Sequence, residues 1–155
     1  MKTNIRKSVF ETNSSSMHSV AIIGSNRDSI SKLYANNDNE ITVYPGEYGW
    51  GYETLREPSE KLSYIVTTIA EKNGRESLED TIFFKWLDEM IFDYTGSKLF
   101  VHKSEDKYYP YGYVDHQSTD TLDDFWSVNE DVFKNNMRDL IFNDKYFIII
   151  DNDNH

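Results

Sequence analysis

The sequence predicts an α+β fold, in which a small mixed or antiparallel sheet packs against two or three main helices. Three observations lead to that prediction. Two amphipathic helix patterns follow one another with no strand between them, unlike the regular strand–helix alternation of α/β proteins. A short, almost wholly apolar run, Tyr146–Ile150, comes late in the chain and suits a buried central strand. No GxGxxG or Walker-type loop indicates a nucleotide-binding parallel sheet.

The first helix pattern begins at Pro58, a residue suited to the first position of a helix. Its apolar residues recur at the spacing i, i+3, i+4 and i+7, which places them in one stripe: Leu62, Ile65, Val66 and Ile69. Asn73-Gly74 is typical of a helix C-terminus, so we expect the helix to end there.

The second helix pattern starts at Ser77 and ends at Gly96. Its apolar face is the broader of the two, which indicates a central place in the core. A third long helix is expected after Asn129, whose side chain can cap the N-terminus. Shorter helices are expected at Asp28–Ala35 and at Thr119–Trp126.

The remaining strand patterns are short. Met17–Ile23 alternates in a way that places His18 on one side of a strand and its neighbours on the other. Ile41–Tyr44 is expected to be a strand that stops at a Pro-Gly pair, and Lys98–Lys103 a further strand. Residues 3–10 are compatible with a first strand.

The bulk composition excludes several classes of protein. The chain has 155 residues, so we expect one domain, with about residues 151–155 as a disordered tail. The absence of cysteine excludes disulfides, thiolate metal sites and cysteine nucleophiles. No stretch approaches the roughly 20 apolar residues of a membrane span, and no signal peptide is evident, so we expect a cytoplasmic protein. A formal net charge of −11 argues against direct nucleic-acid binding.

The least ordinary feature is a polar run between apolar segments, Glu11–Ser19. Its short side chains compete for backbone hydrogen bonds and favour a turn. In such a turn His18 could act as a general acid or base near neutral pH, and Glu11 could orient it. The hydroxyls that could cradle an oxyanion or phosphate belong to Ser14, Ser15 and Ser16. The alternative is an ordinary serine-rich turn with a half-exposed histidine.

A second candidate segment is Pro45–Glu53, in which glycines alternate with aromatic residues. Glycine permits backbone angles that are closed to other residues, so this is a shaped loop. Glu47 and Trp50 could form the wall of a ligand site. The alternative is a hairpin loop with packed aromatic side chains.

The third candidate segment is Tyr111–Ser118, which contains the adjacent pair Asp115 and His116. Neighbours on a strand point to opposite faces, but in a turn the two side chains can converge. His116 and His18 with a carboxylate would have the composition of a two-histidine, one-carboxylate metal site. No local spacing supports such a site, so we predict no metal, and the sequence leaves the question of a cofactor open.

The run Phe10–Ser19 reads FETNSSSMHS and resembles the opening of a set of small, uncharacterised phage and prophage proteins with the signature FETNSSSxHS. Gly46–Trp50 and Asp115–Ser118 are similar to two later elements of that set. The resemblance implies a phage or mobile-element origin and no particular mechanism.

These observations lead to two functional hypotheses. In the first, the three segments converge on one pocket of a phage accessory protein that binds a phosphate-bearing or nucleotide-like ligand, with or without transforming it. His18, His116, Asp115 and Glu11 would be its catalytic groups. In the second, the acidic residues of 105–131 bind the basic groove of a host nucleic-acid-handling enzyme without catalysis. The oligomeric state is open in both.

Overall fold

The structure is a computed structural model that describes residues 16–22, 32–49, 51–73, 78–114, 126–127 and 130–152. Its helices and strands form an α+β fold, which confirms the predicted fold class. The chain divides into two compact units. Unit 1 comprises Met1–Lys32, Glu47–Lys61 and Val114–His155, and unit 2 comprises Leu33–Gly46 and Leu62–Tyr113. One domain for the whole chain stays a prediction.

Unit 1 contains a three-stranded antiparallel sheet in the order β1–β7–β4. Strand β1 is Ser16–Ile22, β4 is Glu53–Leu55 and β7 is Tyr146–Asn152. The apolar run that predicted a central strand therefore lies between the other two. Ile148 and Ile150 of β7 are fully buried, as expected of a strand with neighbours on both sides.

Two short helices precede β7 in unit 1. Helix α3 is Glu130–Asn135 and helix α4 is Met137–Phe142. The third long helix expected from the sequence is thus interrupted, because Asn136 leaves the helical region with φ −131° and ψ 23°. Asparagine is a weak helix former, which makes it a favourable place for such a break. Helix α4 buries one side, Met137, Leu140, Ile141 and Phe142.

Unit 2 contains a parallel strand pair with helical residues against one side. Strand β2 is Glu40–Val43 and strand β5 is Lys98–Val101, and their pairing runs from Glu40 opposite Lys98 to Val43 opposite Val101. Alternate residues of both strands are buried, which defines an inner face made of Ile41, Val43, Leu99 and Val101.

Helix α1 is Pro58–Lys72, and unit 2 includes it from Leu62 onward. The predicted apolar stripe is buried throughout, from Leu62 to Ile69. At the start of the helix, Glu60 Oε1 accepts a hydrogen bond from Glu57 N at 3.1 Å, as in a capping box.

Helix α2, Ile82–Thr95, follows a short 3-10 turn at Leu78–Asp80. Thr81 caps its N-terminus by accepting a hydrogen bond from Phe84 N at 3.2 Å. Gly96 ends it in the left-handed conformation, with φ +81°, as the sequence predicted.

A polar turn just before β2 is hydrogen-bonded to the residues that follow the C-terminus of α2. The side chain of Asn36 accepts hydrogen bonds from Asp38 N and Glu40 N at 2.9 and 3.0 Å. Asn39 Nδ2 donates to Gly96 O at 3.0 Å, and Asn39 Oδ1 accepts from Ser97 Oγ at 2.8 Å. These four hydrogen bonds fix the turn immediately before β2.

Two expectations differ from the structure. Residues 32–35 of the helix expected at Asp28–Ala35 are not helical, because the chain there runs into the Asn36 turn. Strand β7 continues through Asn152, so Asp151 and Asn152 are part of the ladder and not of a tail. The elements expected at residues 3–10 and 119–125 lie outside the described residues, as does Asn129.

Candidate functional site

Strand β1 carries polar residues into the core of unit 1. His18 and Ser19 are both 0% exposed, and Val20 and Ala21 beside them are also buried. Successive residues of a strand point to opposite faces, so both faces of the sheet are covered at this position. The half-exposed histidine of the simpler sequence interpretation is therefore not what the structure shows.

His18 belongs to a row of directly paired residues, His18, Ile150 and Glu53, that crosses all three strands and is called the rung below. Ile150 of β7 pairs with His18 on one side and with Glu53 of β4 on the other. Residues that pair directly have side chains on the same face. His18 and Glu53 therefore lie on the same face of the sheet, and their backbones are two interstrand spacings, or about 10 Å, apart. Ile150 lies between them.

The two ionisable groups of this rung have perturbed pKa values. Burial lowers the pKa of His18 to about 4, because the desolvated imidazolium is disfavoured. The pKa of Glu53 is raised, first by burial and then by the negative charge of Glu60. At neutral pH His18 is a neutral imidazole, with one N–H donor and one acceptor nitrogen.

Ser19 lies on the opposite face, in the next rung. It pairs with Ile149, which in turn pairs with Thr54. Ser19 Oγ is buried and has no hydrogen-bond partner among the described residues. A buried hydroxyl without a partner costs roughly 1–3 kcal/mol, so its retention in a core strand calls for an explanation beyond packing.

Lys61 is a buried charge that the sequence interpretation missed. Its side chain is 0% exposed, and Nζ donates to the backbone oxygens of Asn143 and Tyr146 at 3.2 and 2.9 Å. Burial lowers its pKa to about 8, and the charge of Asp144 opposes that shift. Lys61 precedes Ile65 by four residues, so its place on the apolar stripe of α1 was detectable from the spacing.

The glycine-aromatic loop lies beside the third candidate segment. Strand β3, Glu47–Tyr48, pairs with strand β6, Tyr113–Val114, and Tyr113 N donates to Gly46 O at 2.9 Å. Glu47 is exposed and Tyr48 is buried. Gly112 makes this approach possible: its φ is +81°, and a Cβ at that position would collide with Gly46 O.

Tyr111 has a structural role at this place in unit 2. It is buried, and its hydroxyl donates to Glu79 Oε2 at 2.8 Å. Lys103 Nζ lies 5.3 Å from the centre of its ring, a cation–π distance. The pKa of Tyr111 is raised, first by burial and then by the hydrogen bond to Glu79.

Only some of the other predicted site residues are among those that the structure describes. Ser16 begins β1 opposite Asn152. Outside the described residues lie Glu11, Ser14, Ser15, Trp50, Asp115 and His116. Their meeting in one pocket, and any metal shared by His18 and His116, stay predictions. The described residues bring together a narrower set: His18 from the first segment and Glu53 from the end of the second.

The acidic segment is described only at its two ends. Glu105 and Asp106 are exposed, but Lys103 and Lys107 flank them, so formal charge cancels over these residues. Asp131 on α3 is also exposed. The described acidic residues therefore do not support the hypothesis of a basic partner for residues 105–131, which stays a prediction.

Within the described residues, no group of three or more histidine and carboxylate side chains is arranged to hold a metal ion. None of the helices described combines the length and the hydrophobicity needed to cross a bilayer.

Comparison with known proteins gives no relative for this chain: no protein-family model, curated protein or solved structure matches it. The phage-protein resemblance therefore stays a prediction, and any function has to be argued from the residues themselves.

Proposed function

We propose that this chain is a phage accessory protein that binds a phosphate-bearing or nucleotide-like ligand at the His18–Ile150–Glu53 rung. The observation that supports this is the buried, neutral His18 sharing a sheet face with a half-buried carboxyl group. Buried polar groups are costly, and pairs of ionisable groups with perturbed pKa values occur preferentially at functional sites.

The chemistry of the rung suits the base or sugar of a nucleotide. Glu53 is half-buried and is held closer to its protonated form than a free carboxyl group, so it can donate as well as accept a hydrogen bond. Ile150 between Glu53 and His18 is an apolar floor, as in most small-molecule sites. The phosphate would meet the serine hydroxyls at and just before the start of β1, those of Ser14, Ser15 and Ser16.

Binding is a better proposal than acid–base catalysis by His18. A general acid must hold its proton at the working pH, and a histidine with a pKa of about 4 holds almost none at pH 7. Within this proposal His18 is a buried, neutral group behind the site, and Glu53, which is partly exposed, is the group that the ligand contacts.

The experiment uses the full chain, purified without added nucleotide. Native mass spectrometry of the purified protein detects any ligand that is carried along, and isothermal titration calorimetry measures binding of inorganic phosphate and a panel of mononucleotides. Glu53→Gln keeps the shape of the side chain and removes its charge. We expect it to weaken binding about 10- to 100-fold, the loss typical of a hydrogen bond to a charged group.

Asp131→Asn is the matched control, because Asp131 is an exposed carboxylate of the same unit far along the chain from the rung. It should bind as the unmodified chain does. The proposal fails if no nucleotide binds, or if Glu53→Gln and Asp131→Asn have the same affinity.

A further inference from the structure

Among the described residues, the parallel pair β2–β5 has an outer face that is partly open to solvent, with its β2 residues half-buried and its β5 residues exposed. Three cross-strand pairs define this open face: Glu40 with Lys98, Thr42 with Phe100, and Tyr44 with His102. Phe100 is 45% exposed and Tyr44 is 63% exposed. The rings of Tyr44 and His102 lie 5.1 Å apart, which makes one end of the face continuously aromatic.

An open face of this kind is unusual for parallel strands, which occur almost only where both faces are covered. The inner face of β2–β5 is buried, so among the described residues the open face is the side whose cover is incomplete. Growth of the sheet past β5 is already opposed, because Leu99 N donates to Asp88 Oδ1 at 2.8 Å and its N–H is thus occupied. A partner that contacts β5 would therefore cover the face and not extend the sheet past that strand.

We infer that the partner is a second copy of this chain, which covers the open face around a two-fold axis parallel to the strands. In this arrangement β2 of one copy faces β5 of the other at the same level. Glu40 then faces Lys98 of the second copy, Thr42 faces Phe100, and Tyr44 faces His102, and each contact occurs twice. An isologous interface requires this kind of self-complementarity.

The charge pattern favours a second copy over a nucleic acid strand. Exposed aromatic residues beside a lysine can stack bases, but the pairing of Lys98 with Glu40 places a carboxylate next to the cation on that face. The whole chain also has a formal net charge of −11. Two copies meet with opposite charges aligned, whereas a phosphate backbone would meet Glu40.

The dimer should be weak. The open face has six residues, fewer than the 20–30 residues that each partner contributes to an interface of standard size. Its formation therefore has to be followed at high protein concentration, by sedimentation equilibrium of the full chain over a concentration series.

Charge exchange is the decisive test. Lys98→Glu alone and Glu40→Lys alone each align like charges twice across the dyad, and should raise the dimer dissociation constant at least about tenfold. The double variant Glu40→Lys/Lys98→Glu restores opposite charges and should return the dissociation constant to within about threefold of the unmodified chain. Lys85→Glu, at an exposed position of α2 in the same unit, makes the same charge change away from the face and should leave it unchanged.

Thermal unfolding of each variant, measured at a low concentration where the chain is monomeric, separates a folding defect from a lost contact. The inference is overturned if the chain sediments as a monomer throughout, or if the double variant associates no better than the single ones. It is also overturned if a single-stranded oligonucleotide binds the open face and Phe100→Asp abolishes that binding.

Discussion

The buried histidine should make this protein unusually sensitive to mild acid. The pKa of His18 is lowered from 6.5 to about 4 in the folded chain, so below pH 6.5 the unfolded chain binds a proton that the folded chain does not. The contribution of the uncharged His18 to the free energy of unfolding is therefore fully present above pH 6.5, and it is lost as the pH drops toward 4. A difference of about 2.5 pKa units corresponds to about 3 kcal/mol, at about 1.4 kcal/mol per pH unit in the middle of the range.

Equilibrium unfolding in urea at intervals from pH 7.5 to 4.5 measures this loss. Carboxylates also contribute to the acid dependence, so the informative quantity is the difference in free energy of unfolding between the unmodified chain and His18→Gln. Glutamine keeps hydrogen-bonding capacity and cannot take the proton. At pH 7.5 the unmodified chain should be the more stable, and its advantage should shrink by about 3 kcal/mol as the pH falls toward 4.

His102→Gln is the control, because His102 is an exposed histidine in the other unit. Its free energy of unfolding at pH 7.5 and pH 4.5 gives the effect of replacing a histidine that lies outside the rung. If the difference between the unmodified chain and His18→Gln is the same at pH 7.5 and at pH 4.5, the reasoning from burial to a depressed pKa is refuted.

Three further substitutions test the local arguments. Lys61→Met removes the donor to two backbone oxygens and should lower the free energy of unfolding by about 1–3 kcal/mol at pH 7. Because the pKa of Lys61 is lowered to about 8, the unfolded chain binds more protons between pH 8 and 10.5, and the stability of the unmodified chain relative to this variant should rise over that range. Gly112→Ala should cost more than Gly96→Ala in chemical denaturation, because both glycines have φ +81° but a Cβ would meet other atoms only at Gly112; equal costs would contradict the close approach to Gly46. Thr81→Ala should lower the stability of α2 by about 1 kcal/mol through loss of the cap, and a glycine at the same place should recover most of it.

The helices of unit 2 were predictable because their signals are local. The stripe that begins at Leu62 and the left-handed Gly96 each depend on residues within a few positions of one another. The central place of Tyr146–Ile150 followed from its continuous apolar character. The break at Asn136 was not foreseen, because one weak helix former within a helical pattern is usually tolerated.

Pairing between distant segments was harder to foresee. Nothing near Glu40 in the sequence indicates that its partner is Lys98, since parallel pairing has no local signature. The His18–Glu53 rung was missed for the same reason: Glu53 was seen as the end of a loop, and its register with β7 depends on residues almost a hundred positions away. Lys61 is different, because its spacing from Ile65 was visible and only its charge suggested a solvent-exposed side chain.

The central position of β7 has a consequence for synthesis. Strands β1 and β4 pair with β7 and not with each other, and β7 is the last of the described strands to leave the ribosome. Until then, both earlier strands have unpaired backbone groups in the nascent chain, the condition in which strand edges associate with other chains. A chain truncated before residue 146 would lack the middle strand on which the buried histidine and its rung assemble.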